Sequence, residues 1–552
     1  MTLLPDWQSL SLAQQVAQMV IVRASGHLFD HQIQYPLWEP PAARLKGWLH
    51  DLGVGGVILL GGSAAEVGLR TQQLQSWAKL PLLIAADVEE GVGQRFAGAV
   101  WFPPPMAIGA IAAQDLDRAL TYASQMGAAT AQEALAIGIN WVLVPVVDVN
   151  NNPANPVINV RAWGETPEMV SQLTAAFIRG AQQYPVLTAA KHFPGHGDTA
   201  VDSHLELPLI NHDKTRLETV EIPPFRSAIA AGVDAVMTAH LQLPIWDPEA
   251  PATLSRPILT HLLRHQLGFA GLIVTDALVM GAITRQYGAN EAAVRAVAAG
   301  ADVLMMPADP EGAIEAICAA VESGQIPITQ IQASLERIWQ AKQKVQPLSD
   351  GDSSHAWEQL PPPPIQLEQL AQPQTIATVE AILRDSLRLH RPHPSRLEIS
   401  APARNLILVD DALNCTCLNR QAPAITIPSQ LGYHLQVVDT YTPAHPDSLP
   451  NEPAPTLLQL FIRGNPFRSS ASLIQLAEDW LQSLLHTDQL QALVIYGSPY
   501  VMDHMLTRFD AELAAIPYAF SYGQMPAAQA MALEALLGDL QTESNGGREF
   551  TD

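Results

Sequence analysis

The chain has 552 residues and a mass of 59.6 kDa, too long for one hydrophobic core, so two or more domains are expected. Its 30 Lys and Arg stand against 54 Asp and Glu, a formal net charge of −24 that repels phosphate backbones and anionic membranes and argues against nucleic-acid and membrane partners. The three cysteines, Cys318, Cys415 and Cys417, build no disulfide framework, and Cys415-Thr416-Cys417 alone makes a poor metal site.

At the start of the chain, "MTLLPDWQSLSLAQQVAQM" has neither a basic leader nor a continuous apolar run. No apolar stretch reaches the ~18 residues that a spanning helix needs. A soluble, reducing and cytoplasmic setting is therefore expected. Eight short apolar runs follow, separated by Ala/Leu/Gln-rich stretches of helical period: 16–22, 53–60, 80–88, 139–149, 187–193, 234–241, 271–278 and 301–307. Continuous rather than alternating apolarity marks strands buried on both faces of a parallel sheet. Eight of them predict a (β/α)8 TIM-type barrel. Asp87, Asp148, Lys191, His192, His240 and Asp276 then all fall at C-terminal strand ends, the rim on which barrels carry their chemistry.

The barrel is expected to span 1–346. The segment 347–366, polar and then carrying four consecutive prolines, reads as an extended linker. Beyond it, strand-like runs at 405–411, 433–440, 457–464, 492–500 and 516–522 alternate with amphipathic stretches, predicting a C-terminal α/β/α sandwich over 367–540. Residues 541–552 read as a disordered tail.

The densest polar stretch is "AAKHFPGHGDTAVDSHLELP", 189–208. Its histidines and aspartates could hold a metal, but Pro194, Gly195 and Gly197 break the helix that would fix ligand spacing. The glycine-rich pieces 53–56 and 91–96 lack a complete phosphate-binding pattern. A general acid/base pair is the third reading: Asp202 and His204, two apart, can face one side of an extended segment, the carboxylate orienting the imidazole. The plain alternative for such a pair is a loop hydrogen bond. Asp276, closing "GLIVT", is placed to act as a nucleophile toward an anomeric carbon or to cap the following helix. His196 and Asp198 read as residues that fix the loop, and His240 as one that orders the rim. Glu89 and Glu90 read as solvated or loop-bonding, with Glu89 near enough to Asp87 to touch substrate.

"GVGGVILLGG", "LLIAADVEEGVGQRF", "VPVVDVNNNPANPVINVRAWGE", "AAKHFPGHGDTAVDSHLELP" and "VTDALVMGAI" together make residues 10–345 resemble glycoside hydrolase family 3, in the branch of bacterial β-N-acetylhexosaminidases that act in cell-wall recycling. The resemblance implies Asp276 as nucleophile and His204 with Asp202 as acid/base pair. It implies sugar contacts from Asp87, Arg95, Arg161, Lys191 and His192, a small carbohydrate substrate, and no metal or organic cofactor. The C-terminal sandwich resembles the second domain of longer family members, here expected to be structural. Two departures stand in the loop from Asp87 to Arg95, Glu90 where the family usually has glycine and Val92 where it has arginine. A phosphorylase, in which phosphate replaces water, and a β-glucosidase or xylosidase are alternatives on the same frame. A metal-dependent hydrolase and a non-catalytic carbohydrate-binding protein are the alternatives of other classes.

Overall fold

The structure, a computed structural model, describes residues 4–199, 207–345, 364–392, 402–442, 444, 454–464 and 471–538. The chain divides into two compact units, Met1–Val379 and Glu380–Asp552.

In the first unit eight parallel strands follow one another around a barrel: β1 (Val20–Ser25), β2 (Gly56–Leu60), β3 (Leu83–Ala86), β4 (Trp141–Val142), β5 (Leu187–Phe193), β6 (Ala235–Thr238), β7 (Leu272–Val274) and β8 (Leu304–Met305). Each predicted run contributes one strand. The run at 16–22 starts too early, because Leu12–Ala17 is helical. Ser11 and Gln14 exchange side-chain and backbone hydrogen bonds there as a capping box, and the strand begins only at Val20.

The strands are short, and closure between β7 and β8 rests on a parallel bridge from Val274 to Val303. Thr275 N–H donates to Val303 O at 3.0 Å, and Asp302 N–H to Ile273 O at 2.7 Å. The Asp302 carboxylate reinforces this seam. One oxygen accepts from Ile273 N–H (2.9 Å) and Arg264 (2.5 Å), the other from Ser334 (2.7 Å) and Arg337 (2.8 Å). At the entry to the strands, buried Lys342 donates to Gln18 Oε1 and to Pro81 O, both at 2.6 Å, and so ties the last barrel helix to the approaches of β1 and β3. Residues past the prolines also belong to this unit. Gln366 N–H donates to Ala136 O at 2.9 Å and Ala371 N–H to Glu133 at 2.7 Å.

The second unit is a six-stranded sheet of β9 (Arg388–His390), β10 (Ala403–Val409), β11 (Tyr433–Asp439), β12 (Thr456–Ile462), β13 (Leu490–Gly497) and β14 (Tyr518–Ser521), in the order β11-β10-β12-β13-β14-β9. All pairings are parallel except β14 with β9. Helices Pro423–Gln430 and Pro526–Leu537 pack side by side, while Ala471–His486 packs on β10, β12 and β13. The five expected strands are present. The sixth, Arg-Leu-His on the sheet edge and largely exposed, has no apolar run to announce it. Among the described residues no helix is long and apolar enough to cross a membrane.

Candidate active site

The rim is assembled from five strand ends, those of β3 to β7. Asp87 directly follows β3, and Glu89 lies two residues on. The chain after β4 stays alongside β5: Val147 N–H donates to Lys191 O (2.7 Å) and Lys191 N–H to Pro145 O (3.2 Å), which sets Asp148 beside Lys191 and His192. The Lys191–His192 peptide is cis, the register with β6 shifts there, and both side chains reach rim carboxylates.

Charge is paired within a small buried volume. Lys191 Nζ lies 2.7 Å from Asp87 Oδ1 and 2.7 Å from Glu89 Oε1. Arg161 grips Glu89 with two parallel bonds, Nε to Oε2 at 2.7 Å and Nη2 to Oε1 at 2.8 Å, while its Nη1 donates to Val157 O. Burial alone would favour the neutral Glu89. Arg161 and Lys191 outweigh it and hold the carboxyl well below the usual range. Burial likewise disfavours the Lys191 ammonium, but Asp87 and Glu89 raise its pKa and keep it charged. The Asp87 side chain keeps 37% of its exposure, against 6% for Glu89 and 2% for Lys191. Arg95 is exposed and donates from Nε to the Asp87 carbonyl at 3.1 Å.

Asp148 organises the start of the 189–208 stretch. Its carboxylate accepts from His192 N–H and His196 N–H (2.7 Å), and His192 Nδ1 lies 2.8 Å from Oδ2. With that carboxylate ionised, Nδ1 carries the proton and Nε2 is left for other work. Burial opposes the Asp148 charge, but His192 and His196 lower its pKa overall. His196 is 2% exposed, its pKa pushed by burial down to about 4, and it shares a 2.9 Å hydrogen bond with Thr199 Oγ1.

Gly195 and Gly197, read from the sequence as helix breakers, also let neighbouring chain approach closely. A Cβ on Gly197 would stand 1.7 Å from Val149 O, and one on Gly195 2.7 Å from Glu221 Cβ. These glycines allow close packing. Asn155 Nδ2 donates to the carbonyls of both His196 and Gly197 at 2.9 Å, and Asp198 pairs with His212 at 2.8 Å. Asp202 and His204 lie outside the described residues.

Asp276 stands two residues past β7, half-buried, with Oδ1 accepting from Ala277 N–H at 2.7 Å. The next helix is Gly281–Tyr287 with Met280 at its N-cap, so the capping role considered for Asp276 does not apply. His240 is fully buried and shares hydrogen bonds with Thr253 Oγ1 (2.8 Å) and with the Ala277 carbonyl (3.1 Å), one residue beyond Asp276. It steadies that strand end. Glu89 and Glu90 are not solvated: Glu90 is 1% exposed and accepts from Trp101 Nε1 at 2.8 Å. Val92, in place of the family's arginine, is fully buried.

The hub role of Glu89, the anchoring by Asp148 and the clamp from Asn155 were not assigned from the sequence. For Asn155 a signal was present, because in "NPANPVINV" its Oδ1 accepts from Val157 and Ile158 N–H in an Asx turn, a habit of Asn before a turn.

A parallel barrel with a charged C-terminal rim, followed by a mostly parallel sheet, defines a two-domain α/β class of protein whose chemistry is carried on the barrel rim. Residues 11–341 match the Glycosyl hydrolase family 3 N terminal domain, and residues 397–538 match the Bacterial Glycosyl hydrolase family 3 C-terminal domain. The chain belongs to glycosyl hydrolase family 3. It is 36% identical over 337 residues to Beta-hexosaminidase A of Pseudoalteromonas piscicida, covering 55% of this chain and 56% of that protein. It is 30% identical over 373 residues to Beta-N-acetylglucosaminidase/beta-glucosidase of Cellulomonas fimi, covering 66% and 64%. The matched region thus spans less than two thirds of either relative. Among solved structures, a family 3 β-N-acetylglucosaminidase from Paenibacillus sp. str. FPU-7 is similar with TM-score 0.74 and 30% identity, over 96% of this chain and 97% of that one.

Proposed function

We propose that this chain is a retaining, exo-acting β-N-acetylglucosaminidase that removes terminal β-linked N-acetylhexosamine from peptidoglycan- or chitin-derived oligosaccharides. The observation that carries the reading is Asp276, a rim carboxylate not used as a helix cap, on the same barrel end as the Lys191–Asp87–Glu89–Arg161 lattice. The names of the similar proteins support the same substrate class.

In this mechanism Asp276 attacks C1 while protonated His204 donates to the departing oxygen. Neutral His204 then takes a proton from the water that hydrolyses the glycosyl-enzyme. Asp202 orients the imidazole and stabilises its charged form. Asp87, held by Lys191 yet open to solvent, accepts from sugar hydroxyls, with Arg95, Arg161, Lys191 and His192 completing the binding surface. Each step uses groups of this chain, and no metal or organic cofactor is called on.

A second reading, β-glucosidase action, is favoured by the double name of the Cellulomonas fimi relative. The test compares aryl β-N-acetylglucosaminide with aryl β-glucoside, each with and without phosphate, and identifies the first-formed anomer by proton NMR. Faster N-acetylglucosaminide turnover, a β-anomeric product and indifference to phosphate are expected. Preference for the glucoside would select the second reading. A glycosyl phosphate product would make the enzyme a phosphorylase, and an α-anomeric product would remove the covalent intermediate.

A further inference from the structure

Cys415 and Cys417 lie in the segment that follows β10, at the C-terminal edge of the second unit's parallel strands. The chain turns there, with Leu418 N–H bonded to Cys415 O, and the two Sγ atoms stand 3.0 Å apart. A movement of about 1 Å would bring them to bonding distance. The pair is held unequally. Cys417 is 5% exposed, and its carbonyl accepts from Gln529 Nε2 at 2.8 Å. Gln529 is fixed in turn, since its Oε1 accepts from Ala424 N–H at 3.1 Å and its Nε2 also donates to Gln524 O at 2.8 Å. Cys415 is the more accessible of the two.

We propose that Cys415 and Cys417 are a redox-active dithiol, a modification site within the second unit, which closes to a disulfide by exchange with a small disulfide of the glutathione type. The Cys415 thiolate attacks one oxidant sulfur, forming a mixed disulfide and expelling one thiolate. Cys417 then releases its proton to solvent, and its sulfur displaces the second thiolate from Cys415. The protein gives up two protons and two electrons, and the oxidant leaves as two thiols. The order of attack agrees with the surroundings. The hydrogen bond from Cys417 draws the Cys415 thiol down to about 7, while the same contact and burial push Cys417 up. Cys318, on helix Pro310–Glu322 of the barrel unit, supplies an internal reference. Burial and the nearby Glu322 and Glu315 raise its thiol and keep it a poor nucleophile.

The test equilibrates the full chain with glutathione buffers of increasing oxidised fraction, traps thiols with N-ethylmaleimide and reads intact mass. Wild type should fall from three labels to one, without retaining glutathione. Cys417→Ser should hold one glutathione on Cys415, and Cys415→Ser should hold none. Three labels throughout the series, or wild type that keeps glutathione on Cys415, would overturn the proposal. The wild-type arm does not depend on any variant folding.

Discussion

A single residue separates Asp87 from Glu89, yet the lattice treats them differently. Both Glu89 oxygens are consumed by Arg161 and Lys191, whereas Asp87 shares one oxygen with Lys191 and stays partly open. A buried carboxylate between two cations is a fixed counter-charge, and an open one can exchange partners with a ligand. Neighbours therefore assign the roles, and the same reasoning yields predictions for the proposed chemistry. Asp276→Ala should lower kcat by ~10⁴-fold, the scale seen when one member of a catalytic group is lost, while the thermal midpoint stays near that of the parent. Activity falling only in step with folded protein would count against the nucleophile. His204→Ala should slow aryl N-acetylglucosaminides with poor leaving groups by about 10²–10⁴-fold and activated ones far less. Asp202→Ala should act in the same direction more mildly. An unchanged leaving-group dependence in His204→Ala would move the acid elsewhere. His196 gives a pH effect on stability. Burial lowers its pKa from 6.5 to about 4, so the unfolded chain binds a proton between those values that the folded protein refuses. Its contribution is full above about 6.5 and declines as pH falls toward about 4. Urea midpoints across this range should fall less steeply for His196→Gln than for the parent.

Elements explain how these residues meet. The eight barrel strands could be read from the chain because both faces of each are buried, which writes continuous apolar runs. Strand β9 could not, since a three-residue edge strand needs no apolar face. Asp276 and the Asp202–His204 pair were picked out by position and by resemblance. The Lys191–Asp87 bond was not, because it joins residues 104 apart in the chain and no local pattern encodes it. Glycines mislead in the same way: composition suggests freedom, but Gly197 is required for contact with the Val149 carbonyl. Gly197→Ala should therefore strain the segment that leads to Asp202 and His204. A loss of about 1–3 kcal/mol is expected in denaturant unfolding, together with a kcat deficit larger than any change in KM. A variant with parent-like stability and turnover would show that the segment yields easily.

At the scale of the whole molecule, the boundary between the units falls inside helix Pro373–Ser386, beyond the proline-rich stretch. Residues 364–371 cover barrel groups. Ala371 N–H satisfies buried Glu133, and Ile365 lies against Gly68. A fragment ending at 346 should thus be less stable than one ending at 379, because it leaves the Glu133 carboxylate one donor short. Thermal midpoints of the two fragments check this, and equal values would make residues 347–379 dispensable to the barrel.

The seam between β7 and β8 carries one more consequence. A ring of such short staves needs a clasp, and here the clasp is ionic: Asp302, gripped by Arg264 and Arg337, draws Ile273 toward the neighbouring strand. Three residues further on stands Asp276. The fastener that shuts the ring thus sits three residues from the carboxylate proposed above as nucleophile, and on that proposal an inherited change at Asp302 would surface in a screen for turnover as though the reacting group itself had been altered.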